Sequence, residues 1–473
     1  FFCGFFYSYY WSLPIFDIFV FGKKNGKLEF FVESQIAGKN IFLIAVLFNY
    51  GVHFFYVLFS YLTTIMNNSI YCTNRYIGNF CYFLDCYDGY CVFLLWCKFI
   101  FFYVKINEHL KFFLNPLFYL TFFLYLQGTC ANTEKCISMS KRIVTFGEIL
   151  LRLSPPSHLR LTQASSFDLY YGCAEANVAA SLSKFGFPVK FITAVPSNEL
   201  GESALSMLRS FGVDPVATIQ GKRLGIYYFE QGASERPGKV VYDREDSSFS
   251  TLKTGMIDWR TIFKKANWFH WSGITPSLSP DLANLCKEAL EVAEEMGLTI
   301  SADLNYRPKL WQYGKKANEI MPDLVKHCDL LLGGVDESEK VLGVPKNEGD
   351  TEEVVFANWM KAIKKKKNIV STHRMEANAS SNGISASLWN GKNLLHSRRY
   401  NISHIIDRIG AGDAFMAGMI YGLITWPEDH QTALEFAVAA TCLKHSISGD
   451  INLATVDEIK ALMGGSGGGR VSR

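Results

Sequence analysis

From Met139 onward, short runs rich in β-branched residues alternate with amphipathic segments that close on glycine, and few architectures accept that rhythm. The pattern predicts strand Arg142 to Gly147, helix Glu175 to Phe185 with Gly186 beyond it, and strand Val189 to Val195. It continues with helix Leu200 to Phe211 before Gly212, helix Asp281 to Met296 before Gly297, and strand Thr299 to Asp303. Strands alternating with helices build an α/β domain, a mostly parallel sheet covered by helices on both faces. Two stretches break the rhythm: Ser166 to Tyr171, and Gly225 to Phe229 with Lys239 to Tyr242. Each is strand-like with no helix after it. They predict a small β-sheet lid, with strands near 166–172 and 221–245, over one edge of the main domain. Later, Ile384 to Trp389 and Lys392 to His396 flank Asn390-Gly391, which predicts a hairpin.

The first 138 residues are a different kind of sequence. They hold 25 of the 38 Phe, 14 of the 23 Tyr and 8 of the 12 Cys, with three Ala and one Arg. Ile41 to Met66 and Phe112 to Gln127 carry no Asp, Glu, Lys or Arg, so hydropathy alone allows one or two membrane spans. The scarcity of Ala argues against that. The mixture of Phe, Tyr, Cys, Ile, Leu and Asn is what T- and A-rich untranslated DNA would spell. Position 1 is Phe, and Met139 stands just before the first strand of the regular pattern. The expectation is a Phe/Tyr/Cys-rich extension read from upstream sequence over 1–138, with a membrane anchor as the alternative. One large α/β domain follows over 139–463, and 464–473 forms a flexible glycine-rich tail.

Residues 139–473 carry 38 Lys and Arg against 37 Asp and Glu, a balance with no electrostatic footprint for nucleic acid. The one basic run, Lys364 to Lys367, falls where a helix from Glu352 should end before strand Asn368 to Thr372, so it complements a helix dipole. Cys173, Cys286, Cys328 and Cys442 show no metal-binding spacing, and a reducing compartment, the cytoplasm, is expected.

The segment Asp407-Arg408-Ile409-Gly410-Ala411-Gly412-Asp413 runs into an apolar helix. Small residues let the backbone approach a phosphate, and the helix start favours an anion there. Asp413 at that mouth could take a proton from a substrate hydroxyl, and the helix dipole would keep it ionised at neutral pH. A plain turn with a helix N-cap has the same spacing.

These residues carry a resemblance. Asp407 to Asp413 resembles the second signature of the ribokinase-like, PfkB-type carbohydrate kinases, and Gly172-Cys173-Ala174-Glu175-Ala176-Asn177 resembles their first. Several further segments look more specifically like 2-keto-3-deoxygluconate kinases. They are Thr145-Phe146-Gly147-Glu148, Leu224-Gly225-Ile226-Tyr227, Val241-Tyr242-Asp243-Arg244, Trp271 to Pro276, Asp303-Leu304-Asn305-Tyr306-Arg307, and Lys444 to Asp450. Neither a Walker A motif nor the protein-kinase His-Arg-Asp set occurs. The resemblance implies a ribokinase-like fold and transfer of the ATP γ-phosphoryl group to a primary sugar hydroxyl. Asp413 would be the base, and the N–H groups of Gly410, Ala411 and Gly412 the anion hole. Mg²⁺ would accompany ATP, with Glu337 acting on it through water. Gly172, Cys173, Asn177, Tyr227, Tyr242, Arg244, Arg307 and Asp450 would face the sugar acid. Asn305, Arg307, Thr372 and Arg374 would face nucleotide phosphates together with Gly410 and Gly412.

Blander readings stand beside these. Arg244 and Arg307 could be surface ion-pair partners, Glu337 an exposed first-turn glutamate, Thr372 and Arg374 a simple loop, and Asn177 a local backbone cap. Three residues depart from the family pattern: Cys173 at the second glycine of the first signature, Gly334 at the asparagine of an Asn-x-x-Glu motif, and Arg408 at a usual threonine. The expected substrate is 2-keto-3-deoxygluconate. A neutral sugar such as fructose is the alternative, or a catalytically weak sugar-binding protein. A homodimer through the lid is expected.

Overall fold

The computed structural model describes residues 18–24, 27–36, 39–46, 141–363 and 368–465, which fall in two units, 1–115 and 116–473. In the first unit, β1 (Ile18–Lys24), β2 (Lys27–Ile36) and β3 (Lys39–Val46) form an antiparallel sheet with Ile18 opposite Glu33 and Ile36 opposite Lys39. Residues 41–46, which open the first uncharged stretch, are therefore strand. Residues 47–66, the second stretch from Phe112 to Gln127, the run Lys364 to Lys367 and the tail 466–473 lie outside the described residues. Among the described residues no helix is long and apolar enough to cross a membrane.

The second unit is built on a large sheet whose centre is parallel. β4 (Ile143–Phe146) pairs with β7 (Val189–Val195) and β11 (Trp268–Ser272). Beyond β7 lies β8 (Asp214–Ile219); beyond β11 follow β12 (Thr299–Asp303), β13 (Leu330–Leu332) and β14 (Asn368–Asn378), all parallel. β15 (Ser381–Trp389) returns antiparallel and carries β16 (Leu394–His396) and β17 (Tyr400–Ile402). The central strands β4 and β13 read as near-continuous apolar runs because both of their faces are buried. Ile143 enters one core while its neighbours Val144 and Phe146 enter the other, and Leu331 likewise opposes Leu330 and Leu332. Each fully buried side chain of that size contributes about 1.5–3 kcal/mol.

The lid is a four-stranded sheet ordered β10 (Lys239–Asp243), β9 (Gly225–Glu230), β5 (Leu150–Ser154) and β6 (Asp168–Gly172). β5 was not expected there. It pairs antiparallel with β6 and parallel with β9, and so forms the lid's centre.

Two helices of one core set the site. The α-helix Ala174–Lys184, here α1, starts directly after β6. A later helix, Ala411–Thr425, is apolar on every side and buried, and it packs on His430–Lys444. Glycines four residues apart make that packing close: a β-carbon at Gly418 would fall 2.7 Å from the Ala437 Cα, and one at Gly422 would fall 2.6 Å from the Ala433 Cα. The same pair is pinned at the other end, where Thr441 Oγ1 donates to the Ala411 carbonyl at 2.6 Å. Small residues along one face thus fix the turn at which Asp413 stands.

Candidate active site

One cavity of about 760 Å³ opens between the lid strands and the C-terminal ends of the parallel strands, the usual ligand position in open α/β sheets. Gly410, Ala411, Gly412 and Asp413 line it from the start of helix Ala411–Thr425. Gly410 is left-handed, at φ 80°, and a β-carbon there would fall 1.8 Å from the Asp450 carbonyl oxygen, so only glycine makes this turn. Around Gly412 there is open space for a ligand. The Ala411 N–H is turned back to the Arg408 carbonyl at 3.3 Å. Of the three N–H groups expected in the anion hole, those of Gly410 and Gly412 are the ones without a partner among the described residues.

Asp413 Oδ2 accepts from Asn177 Nδ2 at 2.7 Å. Burial raises the Asp413 carboxyl to about 8, against the Asn177 hydrogen bond and with the negative field of Asp303, Asp450 and Glu175 adding to the rise. This corrects the expectation that the helix dipole holds it ionised. The dipole acts within one turn, whereas desolvation and three neighbouring carboxylates act from all sides.

On the lid side, Cys173, Asn177, Tyr227, Tyr242, Arg244 and Asp450 line the same cavity. Gly172 does not. It is packed behind the wall, where a β-carbon would fall 2.6 Å from Asp450 Cβ and 2.7 Å from Asn177 Oδ1. Cys173 joins a small apolar cluster with Leu150, Tyr227 and Phe229, and burial pushes its thiol up, so it is a neutral, space-filling group. Arg244 is buried and donates from Nη2 to Glu148 Oε2. Tyr227 donates its hydroxyl to Asp450 Oδ2, and Arg152 Nη1 holds Asp450 Oδ1 at 2.8 Å.

On the other side, Asn305, Arg307, Gly334, Glu337, Thr372 and Arg374 line the cavity. Asn305 is left-handed at φ 39°, held by Asp303 Oδ1 accepting its N–H at 2.9 Å. Arg307 is exposed and caps the Tyr306 carbonyl at 3.0 Å. Glu337 Oε2 accepts the Gly334 N–H at 2.9 Å, and a β-carbon at Gly334 would come within 3.2 Å of that oxygen. Among the described residues no group of three or more His, Cys, Asp or Glu side chains is arranged to hold a metal ion.

Several site residues were not anticipated. Arg152 on β5 is fully buried between Tyr170 and Phe229, its guanidinium 5.0 and 4.7 Å from their ring centres, and it joins Asp450 to Asp407. Asp407 Oδ2 also accepts the Gly449 N–H at 3.0 Å, so a lid strand, the segment leading into the Gly410 turn and the 449–450 turn meet on one ion network. An arginine inside Leu150-Leu151-Arg152-Leu153 was the available signal. Asp303 also lines the cavity, and burial raises it to about 6.

A family model for the pfkB family carbohydrate kinases matches residues 140–456. The chain belongs to that family. This PfkB-type kinase is 42% identical to the crystal structure of 2-dehydro-3-deoxygluconokinase from Thermotoga maritima, which it matches with a TM-score of 0.64 over 68% of this chain and 99% of that one. It is 32% identical over 332 residues to 2-dehydro-3-deoxygalactonokinase of Haloferax volcanii, covering 70% of this chain and 99% of the relative. It is 28% identical over 284 residues to 2-dehydro-3-deoxygluconokinase of Bacillus subtilis, covering 59% and 82%. The fold is ribokinase-like, and these relatives support a 2-dehydro-3-deoxy sugar kinase.

Proposed function

We propose that this PfkB-type kinase transfers the γ-phosphoryl group of ATP to the primary hydroxyl of 2-keto-3-deoxy-D-gluconate, yielding the 6-phosphate. The observation that carries the reading is the meeting in one cavity of Asp413, at a glycine turn whose Gly410 and Gly412 N–H groups have no partner among the described residues, with Arg244 and Arg307. Asp413 accepts the hydroxyl proton as the oxygen attacks, and Asn177 orients its carboxylate. The Gly410 and Gly412 N–H groups receive charge that develops on the transferred phosphoryl oxygens. Arginine suits the acid end of such a substrate because its planar fork matches a carboxylate. The cavity fits a sugar beside a nucleotide, with Asn305, Thr372 and Arg374 on the nucleotide side. Glu337, one of the carboxylates lining the cavity, would hold a water of an Mg²⁺ ion accompanying ATP, which when bound would neutralise phosphate charge.

A neutral sugar is the second reading, and one observation favours it: Arg244 already has a carboxylate partner in Glu148. ADP formation from ATP with 2-keto-3-deoxygluconate, 2-keto-3-deoxygalactonate and fructose in parallel, with the product's phosphorylated carbon read by NMR, separates them. Turnover of fructose alone would remove the sugar-acid reading. We also propose a homodimer through the lid. The lid's edge strands expose Leu169 (51%) and Val241 (40%), and covering them would bury an apolar surface that a lone protomer leaves wet. Val241→Lys should then convert a dimer to a monomer in light scattering.

A further inference from the structure

Three segments from distant parts of the chain converge on a buried pair made by Arg244 and a carboxylate to which the reading above gives no role, Glu148. Glu148 follows β4, Gly225 opens β9 and Arg244 follows β10. Glu148 is 2% exposed and Arg244 8%. A β-carbon at Gly225 would fall 2.7 Å from Glu148 Oε1 and 3.2 Å from Arg244 Cβ, so glycine is what leaves room for the pair. The pair has an incomplete geometry. Only Nη2 of Arg244 meets Glu148, while Nε of Arg244 and Oε1 of Glu148 are buried without a hydrogen-bond partner among the described residues. Arginine and carboxylate frequently pair fork to fork through two parallel bonds, and this pair does not. Here Nη2 is held and Nε is buried, which leaves Nη1 as the nitrogen without a partner among the described residues, on a side chain that lines the cavity.

We infer that Glu148 is a positioning residue that orients Arg244 for the carboxylate of an anionic sugar, and so sets the enzyme's preference for acid over neutral substrates. This rests on the sugar-acid reading above. While the cavity is empty, Glu148 makes a buried guanidinium tolerable, since an unpaired buried charge is strongly disfavoured. When substrate enters, its carboxylate meets the guanidinium edge that Glu148 leaves open. Glu148 acts through the hydrogen bond it accepts. An uncharged acceptor of the same length should therefore still orient the arginine.

The test is steady-state kinetics of the full chain with 2-keto-3-deoxygluconate, and competition by the corresponding amide, which lacks the charge. Glu148→Ala should raise KM for the acid at least tenfold with kcat within threefold of the parent. Glu148→Gln should restore KM to within threefold, and neither change should move inhibition by the amide. Should Glu148→Ala be recovered unfolded, Glu148→Asp serves instead. It keeps the charge, withdraws the acceptor by one methylene and should give the same rise in KM. An unchanged KM in both Glu148→Ala and Glu148→Asp, or a parallel change for acid and amide, overturns the proposal. So does a Glu148→Gln enzyme as impaired as Glu148→Ala. Arg244→Ala, run alongside, separates the two levels. Lost acid affinity in Arg244→Ala without loss in the Glu148 variants removes Glu148 alone, whereas unchanged affinity in Arg244→Ala removes the sugar-acid reading itself.

Discussion

Asp413→Asn should abolish turnover and, at the same time, make the ligand-free protein more stable. The carboxyl is raised from 3.8 to about 8 by burial, so the folded protein holds this proton more tightly than the unfolded chain does. A carboxyl with a raised folded pKa destabilises the fold progressively as pH rises. The cost is absent below about pH 4, where both states are protonated. It grows between about pH 4 and about pH 8 and is constant above that. A shift of this size corresponds to an upper bound of about 6 kcal/mol, and the open cavity admits water that brings the effect to about 2–3 kcal/mol. Asparagine removes the charge and still offers a carbonyl oxygen to Asn177 Nδ2. For a domain of this length that is a rise in Tm of roughly 3–5 °C above pH 8. The assay is thermal unfolding of both proteins followed by circular dichroism at pH 5, 7 and 9. The stabilisation should increase with pH. A variant no more stable than the parent at pH 9, or a difference that does not grow from pH 5 to 9, refutes the reasoning. The same shift predicts that kcat/KM rises with pH toward a plateau above about pH 8.

Arg152→Met should be among the most destabilising substitutions, costing about 3–5 kcal/mol, because it leaves Asp407 and Asp450 buried without their cation; urea denaturation measures it. Gly410→Ala should reduce kcat at least a hundredfold, since the new β-carbon meets the Asp450 carbonyl oxygen and the residue must leave φ 80°; retained activity would mean that the turn is not the anion hole. Glu337→Gln should raise the Mg²⁺ concentration needed for half-maximal activity several-fold while leaving KM for the sugar unchanged, which a Mg²⁺ titration reads directly.

What the sequence disclosed, and what it withheld, follows from how local each signal is. The parallel strands β4, β7 and β12 were legible because short runs rich in β-branched residues mark them, and the helices because glycine closes them. β5 was not, because Arg152 interrupts its apolar run and its partners lie on β6 and β9 rather than next in sequence. β14 was expected to end at Thr372 but continues to Asn378. His373, Arg374, Met375 and Ala377 carry no β signal, and the strand is completed by its ladder with β15. Gly410 to Asp413 and Asn177 each lie in a local motif, so these residues could be singled out, but the bond from Asn177 to Asp413 spans 236 residues and could not. The ions around them could not. Arg152 reaches Asp407 across 255 residues and Asp450 across 298, and the protonation of Asp413 depends on carboxylates from separate elements.

The most direct test of the account is ATP consumption by the full chain with 2-keto-3-deoxygluconate, measured beside Asp413→Asn. The account predicts steady turnover that depends on the sugar acid and falls at least a thousandfold in the variant. Comparable turnover in the variant, or none with either sugar acid from a folded protein, would contradict it, and the second result would turn attention to Cys173 and Gly334 in the cavity wall.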